Sequence, residues 1–165
     1  MDFIALAQEC APNVHHQTMA AIVRTESSYN PFAIGVVNGR LERQPRNKIE
    51  AIATAKWLQE NGWNFSVGLS QVNLHNLPKY GLDFDKAFDP CMNLRAGAAI
   101  LGECFDRALI KHKNDQQGAA RSALSCYYSG NFITGYKQGY VQTVLNNATH
   151  PAGVIRYITA PTALK

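Results

Sequence analysis

Hydrophobic positions recur at helical spacing along most of the chain. Met19, Ile22 and Val23 fall at i, i+3 and i+4 and predict an amphipathic helix over residues 17–27. Tyr29-Asn30-Pro31 stops it, because the residue before a proline avoids helical geometry. A short helix over residues 1–9 precedes it, broken at Ala11-Pro12-Asn13. Residues 48–60 read as a third helix, closed by Asn61-Gly62 in the manner of a C-cap. Asp89-Pro90 supplies a cap and a first helical residue. From there Leu94, Ala98, Leu101, Phe105, Ala108 and Leu109 hold one apolar face for about four turns. Helices over residues 116–128 and 135–147 complete the set. Residues 32–46 read as irregular or short β, with Asn38-Gly39 between apolar flanks giving a hairpin signal. A compact segment over 68–77 and a loop over 79–88 follow. Beyond Thr149 the periodicity is lost, so residues 149–165 are expected to form a poorly ordered tail. The pattern predicts one mainly α domain over residues 1–148 with a small β excursion.

Composition agrees with a globular fold. The 165 residues suit one domain, and 46% hydrophobic with 17% charged residues is too apolar for disorder. No apolar run approaches about 18 residues, so no membrane span is expected. The net charge of +4 implies mild attraction to anions. Lys and Arg are scattered rather than striped along one helix, which argues against nucleic acid as a partner. Cys10, Cys91, Cys104 and Cys126 lack the spacing of zinc or thioredoxin-like sites. They read either as buried thiols or as two disulfides formed in an oxidising compartment. Counting back from a turn near Lys113 between antiparallel helices brings Cys104 opposite Cys126, leaving Cys10 for Cys91. The N-terminus has an early acid and no basic region, so it is not a signal peptide; an exported protein would have lost one.

The Asp and Glu residues number 12, few enough to weigh singly. Glu26 continues the Met19, Ile22, Val23 stripe at i+7, so its carboxylate shares the apolar face of the helix. It also lies in the last helical turn, where the macrodipole disfavours negative charge. Both effects favour the protonated form that a general acid needs. The bland reading is a carboxylate curling out to solvent from a frayed end. The other acids read as caps, solvated positions or loop chemistry; Asp83 and Asp85 share a polar loop and give a weak cation signal. No acid has a spacing that nominates it as a partner for Glu26, whereas ordinary glycoside hydrolysis needs two. His15 and His16 are expected to point to different sides of a helix, which argues against a metal site. His75 reads as a cleft or solvated residue, and Ser27 as bonded to the preceding helical turn.

Four short motifs in order resemble the lytic transglycosylase family, which has a goose-type lysozyme-like fold. They are Ala21-Ile22-Val23-Arg24-Thr25-Glu26-Ser27, Gly68-Leu69-Ser70-Gln71-Val72-Asn73, Asn93-Leu94-Arg95-Ala96-Gly97-Ala98 and Tyr127-Tyr128-Ser129-Gly130. Tyr140-Val141, followed by Val144-Leu145, resembles the end of that domain. Ile34-Gly35-Val36-Val37, Arg43-Gln44-Pro45 and the segment from Ser125 to Asn131 look closest to the subgroup that accompanies type IV secretion and conjugation machines. The resemblance implies a periplasmic enzyme that cleaves the β-1,4 bond between N-acetylmuramic acid and N-acetylglucosamine in peptidoglycan, with secretion-system components as further partners. It implies Glu26 as the single acid and base, and no metal or organic cofactor. Gly68, Ser70, Gln71, Tyr127 and Tyr140 would bind substrate. Gly68 would admit the glycan close to the backbone, Gln71 would meet an N-acetyl group, and the two tyrosines would donate hydroxyl hydrogen bonds to Glu26. Ser70 stands where the family usually has Met, and Tyr128 where it has Asn. The longer stretch between Glu26 and Gly68 places an extra helix around residues 49–57 beside the cleft or on a partner surface. The competing readings are a hydrolysing lysozyme and a non-catalytic glycan-binding assembly module.

Overall fold

The computed structural model describes residues 1–148; the expected tail over residues 149–165 lies outside the described residues. The described chain forms two compact units, one made of residues 1–25 and 98–148 and the other of residues 26–97.

The first unit is helical. It holds α1 (Phe3–Cys10), most of α2 (His16–Ser27) and of α5 (Pro90–Lys111), then α6 (Gln116–Ser129), α7 (Thr134–Lys137) and α8 (Tyr140–Asn147). Two of the helix starts have a local cause in a capping side chain. The Asp2 carboxylate accepts from the Ala5 amide at the head of α1, and the Asp115 carboxylate accepts from the Gly118 amide at the head of α6. Met19, Ile22 and Val23 are fully buried, as their spacing predicts, and so are Leu101, Ala108, Leu124 and Val144. The helix predicted over residues 135–147 is broken into α7 and α8 at Gly139, whose left-handed φ of 79° no helical residue adopts. Gly135 has to be glycine as well. A Cβ there would meet the Ser125 Cα at 2.5 Å, so α7 lies directly on α6.

A disulfide joins Cys104 to Cys126, with Cα atoms 5.7 Å apart, so the predicted hairpin of α5 and α6 has the expected register. Cys10 and Cys91 are disulfide-bonded too, and no described cysteine is free. The reading of four buried thiols is therefore set aside.

The second unit carries the β excursion. It contains β1 (Ile34–Val36), α3 (Lys48–Glu60), β2 (Phe65–Val67), β3 (Val72–Asn73) and the short α4 (Phe84–Ala87). The strands form one antiparallel sheet in the order β1-β2-β3, with Ile34 opposite Val67 and Ser66 opposite Asn73. Phe65, Val67, Leu69, Val72 and Phe88 are buried in this unit. The Asn38-Gly39 hairpin predicted from sequence does not form. Asn38 does take the left-handed turn conformation (φ 58°), but the polar stretch Arg40–Arg46 that follows supplies no strand. The outer edge of β1 is covered by a side chain instead. The Gln44 Oε1 accepts from the Ile34 amide at 2.8 Å, and its Nε2 donates to the Ile34 carbonyl at 3.0 Å. One amide group thus takes the place of a neighbouring strand and blunts an edge that would otherwise recruit one.

Candidate active site

Glu26 lies in the last turn of α2 and is partly buried. Directly after the helix, Ser28 and Tyr29 both adopt left-handed φ values (51° and 64°). Such values cost about 1–2 kcal/mol per non-glycine residue, so strain is concentrated two and three residues beyond the carboxylate. The turn is secured by the Asn30 amide donating to the Ser27 carbonyl and the Asn30 side chain accepting from the Phe32 amide. The Ser27 hydroxyl also reaches beyond its own helix. Its Oγ donates to the Leu69 carbonyl at 2.8 Å. That bond ties the residue after Glu26 to the Gly68-Leu69-Ser70-Gln71 segment.

This segment is a tight turn closed by the Gln71 amide donating to the Gly68 carbonyl at 3.1 Å. Gly68 needs its glycine for an internal reason. It has a left-handed φ of 79°, and a Cβ there would lie 2.2 Å from the Asn93 Nδ2. Asn93 is 1% exposed, and its amide is fully engaged. The Oδ1 accepts from the Ser70 amide at 2.7 Å, while the Nδ2 donates to the carbonyls of Val67 at 2.9 Å and Ala87 at 2.8 Å. Ser70 is wholly buried, so the surface of the turn is presented by Gln71. The Gln71 side chain is itself held: its Nε2 donates to the Ala33 and Gly68 carbonyls, both at 3.0 Å. Its two amide hydrogens are thus spent inside the protein, and the Oε1 remains as the acceptor. A Cβ on Gly35 would lie 2.6 Å from this oxygen, so the bare strand at Gly35 makes room for it. In the sequence Asn93 is legible only as part of a motif. Its signal was an asparagine in a first helical turn already capped by Asp89, whose Oδ1 accepts from the Met92 amide.

Glu26, Gly68, Ser70 and Gln71 belong to the second unit, and Tyr127 and Tyr140 to the first. Tyr140 is 7% exposed, and its ring stacks on Tyr128 with centroids 4.6 Å apart. Tyr128 also donates its hydroxyl to the Gln138 Oε1 at 2.6 Å. Tyr128, one of the two residues that depart from the family pattern, is therefore employed within the protein, holding one face of Tyr140. Asp83 and Asp85 do not form a cation site. Asp83 caps α4 by accepting from the Lys86 amide, and Asp85 pairs with Lys48 at 3.1 Å. His15 and His16 do not point to different sides: their rings stack, centroids 4.2 Å apart. His75 is exposed in a 3-10 turn, where its amide donates to the Asn73 side chain. On the extra helix α3, Ile49 and Trp57 are exposed at 83% and 57%.

A carboxylate at the end of a buried helical stripe, tied through Ser27 to a glycine turn that presents one amide oxygen, is the arrangement of a lysozyme-like glycan-cleaving domain. The chain belongs to the Transglycosylase SLT domain family, which matches residues 3–148. Its fold and enzyme class are accordingly those of a lytic transglycosylase, and peptidoglycan is the substrate that this membership implies. The chain is similar to the type IV secretion system protein virB1 of Brucella suis biovar 1 (strain 1330), at 54% identity covering 94% of this chain and 69% of the relative. The protein of the same name from Brucella abortus biovar 1 (strain 9-941) matches at the same identity and coverage. Protein virB1 of Agrobacterium fabrum (strain C58) is 34% identical over 87% of this chain and 58% of its own length. No solved structure gives a significant match. Among the described residues, no helix is long and apolar enough to cross a membrane.

Proposed function

We propose that Glu26 performs both proton transfers of a lytic cleavage of the β-1,4 bond between N-acetylmuramic acid and N-acetylglucosamine. The carboxylic acid gives its proton to the glycosidic oxygen as the bond to muramic C1 breaks. The resulting carboxylate then takes the proton of the muramic C6 hydroxyl as that oxygen bonds to C1. The products are a free 4-hydroxyl and a 1,6-anhydro end; no water is consumed, and the acid is regenerated. One group serves as acid and base in turn, so no second carboxylate is needed. The observation that carries this reading is the Ser27–Leu69 hydrogen bond, which joins the Glu-Ser end of α2 to the Gly-Leu-Ser-Gln turn.

Gln71 would accept from a sugar N–H through its Oε1. Gly68 and Ser70 would act by shaping the turn that presents it. Tyr127 and Tyr140 are assigned as hydroxyl donors that orient Glu26 on the strength of the family resemblance. Residues 1–148 act as one lysozyme-like domain in this reading. The kinship with the virB1 proteins supports a periplasmic role, opening the wall locally for a type IV secretion apparatus.

Mass analysis of muropeptides released from purified wall tests the assignment. Wild type should release 1,6-anhydro ends, and Glu26→Gln should lower turnover by about 10²–10⁴-fold. Reducing muramic ends would make the enzyme a hydrolysing lysozyme, and full activity of Glu26→Gln would remove Glu26 from the mechanism.

A further inference from the structure

The residues on either side of Glu26 are both held by side-chain hydrogen bonds to distant parts of the sequence. Ser27 reaches Leu69, as described above. On the other side, the Thr25 Oγ1 donates to the Ala21 carbonyl one turn back in α2, at 2.7 Å. The same oxygen accepts from the Asn147 Nδ2 at 3.0 Å, across a sequence separation of 122 residues. Asn147 is the last residue of α8. The hydroxyl is thus used twice: its hydrogen stays within α2, and a lone pair receives the outside donor. The final turn of a helix lacks intrahelical partners for its carbonyls and tends to fray. Here that turn bears the acid, which has to serve two oxygens of the substrate in succession. Misplacement of a reacting group by about 1 Å can cost on the order of 100-fold in rate.

We propose that Thr25 and Asn147 are positioning residues for Glu26. Their hydrogen bond locks the last turn of α2 and so sets the aim of the carboxylate, without either side chain touching the glycan. The inference rests on Glu26 being the acid, so Glu26→Gln is assayed alongside.

The test uses the full chain on soluble, uncross-linked glycan strands, with anhydro products quantified by mass to obtain kcat and KM. Asn147→Ala and Thr25→Val should each lose about tenfold in kcat with KM within about twofold of wild type. Thr25→Ser keeps the hydroxyl and should stay within about twofold in both parameters. The double variant Thr25→Val/Asn147→Ala should be no slower than the slower single variant, because the Thr25–Asn147 bond is already lost in either one. Wild-type kcat in Asn147→Ala alongside an inactive Glu26→Gln overturns the positioning role and leaves the catalytic reading standing. A kcat deficit that vanishes when the assay is run well below the variant's unfolding midpoint marks a folding defect and overturns it as well. Normal turnover by Glu26→Gln removes the catalytic reading and this inference with it.

Discussion

Replacing Asn93 with alanine should remove the centre of the turn that presents Gln71. The side chain is 1% exposed and serves three backbone groups, the Ser70 amide and the carbonyls of Val67 and Ala87. Each group loses its partner in a site from which water is excluded, and a buried polar group left unpaired costs about 1–3 kcal/mol. The Ser70 amide, with a single hydrogen to donate, bears the full penalty. The carbonyls have a second lone pair each and fall at the low end. The expected loss is therefore about 3–5 kcal/mol, a large share of the roughly 5–15 kcal/mol that holds a typical domain folded. Asn93→Asp should be no milder. It keeps one acceptor for Ser70 but turns a second, charged oxygen toward two carbonyls. Urea unfolding of the disulfide-intact protein gives the free energy and its denaturant slope. A shift of the midpoint at constant slope, larger for both variants than about 2 kcal/mol, fits this account. An alanine variant within about 1 kcal/mol of wild type, or an aspartate variant as stable as wild type, would refute it.

Two further outcomes concern the helical unit. The Cys104–Cys126 bond spans 22 residues, so the double change Cys104→Ser/Cys126→Ser should cost about 3 kcal/mol through the freedom restored to the unfolded chain; a loss under about 1 kcal/mol in urea unfolding would contradict that. At the head of α2, the His15 Nδ1 accepts from the Gln17 amide at 3.2 Å, which only the neutral ring does. Partial burial, and then the charge of His16, hold the His15 pKa below its ordinary value of 6.5. The folded state thus binds fewer protons than the unfolded one in the window just below that value. The stability carried by neutral His15 is present above it and lost as pH falls. His15→Asn, a cap without a titrating ring, should flatten the melting temperature between about pH 7 and 5; an unchanged pH slope would remove His15 from the account.

The features that the sequence determined by itself are those with local causes. The bounds of α3, the Asp89-Pro90 start of α5 and the stripe of Met19, Ile22 and Val23 follow from capping chemistry and helical periodicity. The Cys104–Cys126 pair also follows, because it needs only two helices and the length of the turn between them. Glu26 was legible for the same reason: its place on the apolar face and in the last turn is a matter of counting residues. Tertiary structure alone decided what each buried or polar group meets. The sequence groups Gly68 and Ser70 in one compact motif, but does not say that the Asn93 amide fills the space a Cβ on Gly68 would occupy. The Asn38-Gly39 turn is written in the sequence, yet its partner strand is β2, and the free edge is taken by the Gln44 side chain. The Ser27 hydroxyl bonds Leu69, 42 residues away, and Thr25 draws its second hydrogen bond from Asn147. A short-range pattern sets which groups must leave water. Which donor then finds which acceptor depends on chain segments that collapse against one another from far apart in sequence, as in the Ser27–Leu69 and Thr25–Asn147 bonds of the residues that flank Glu26.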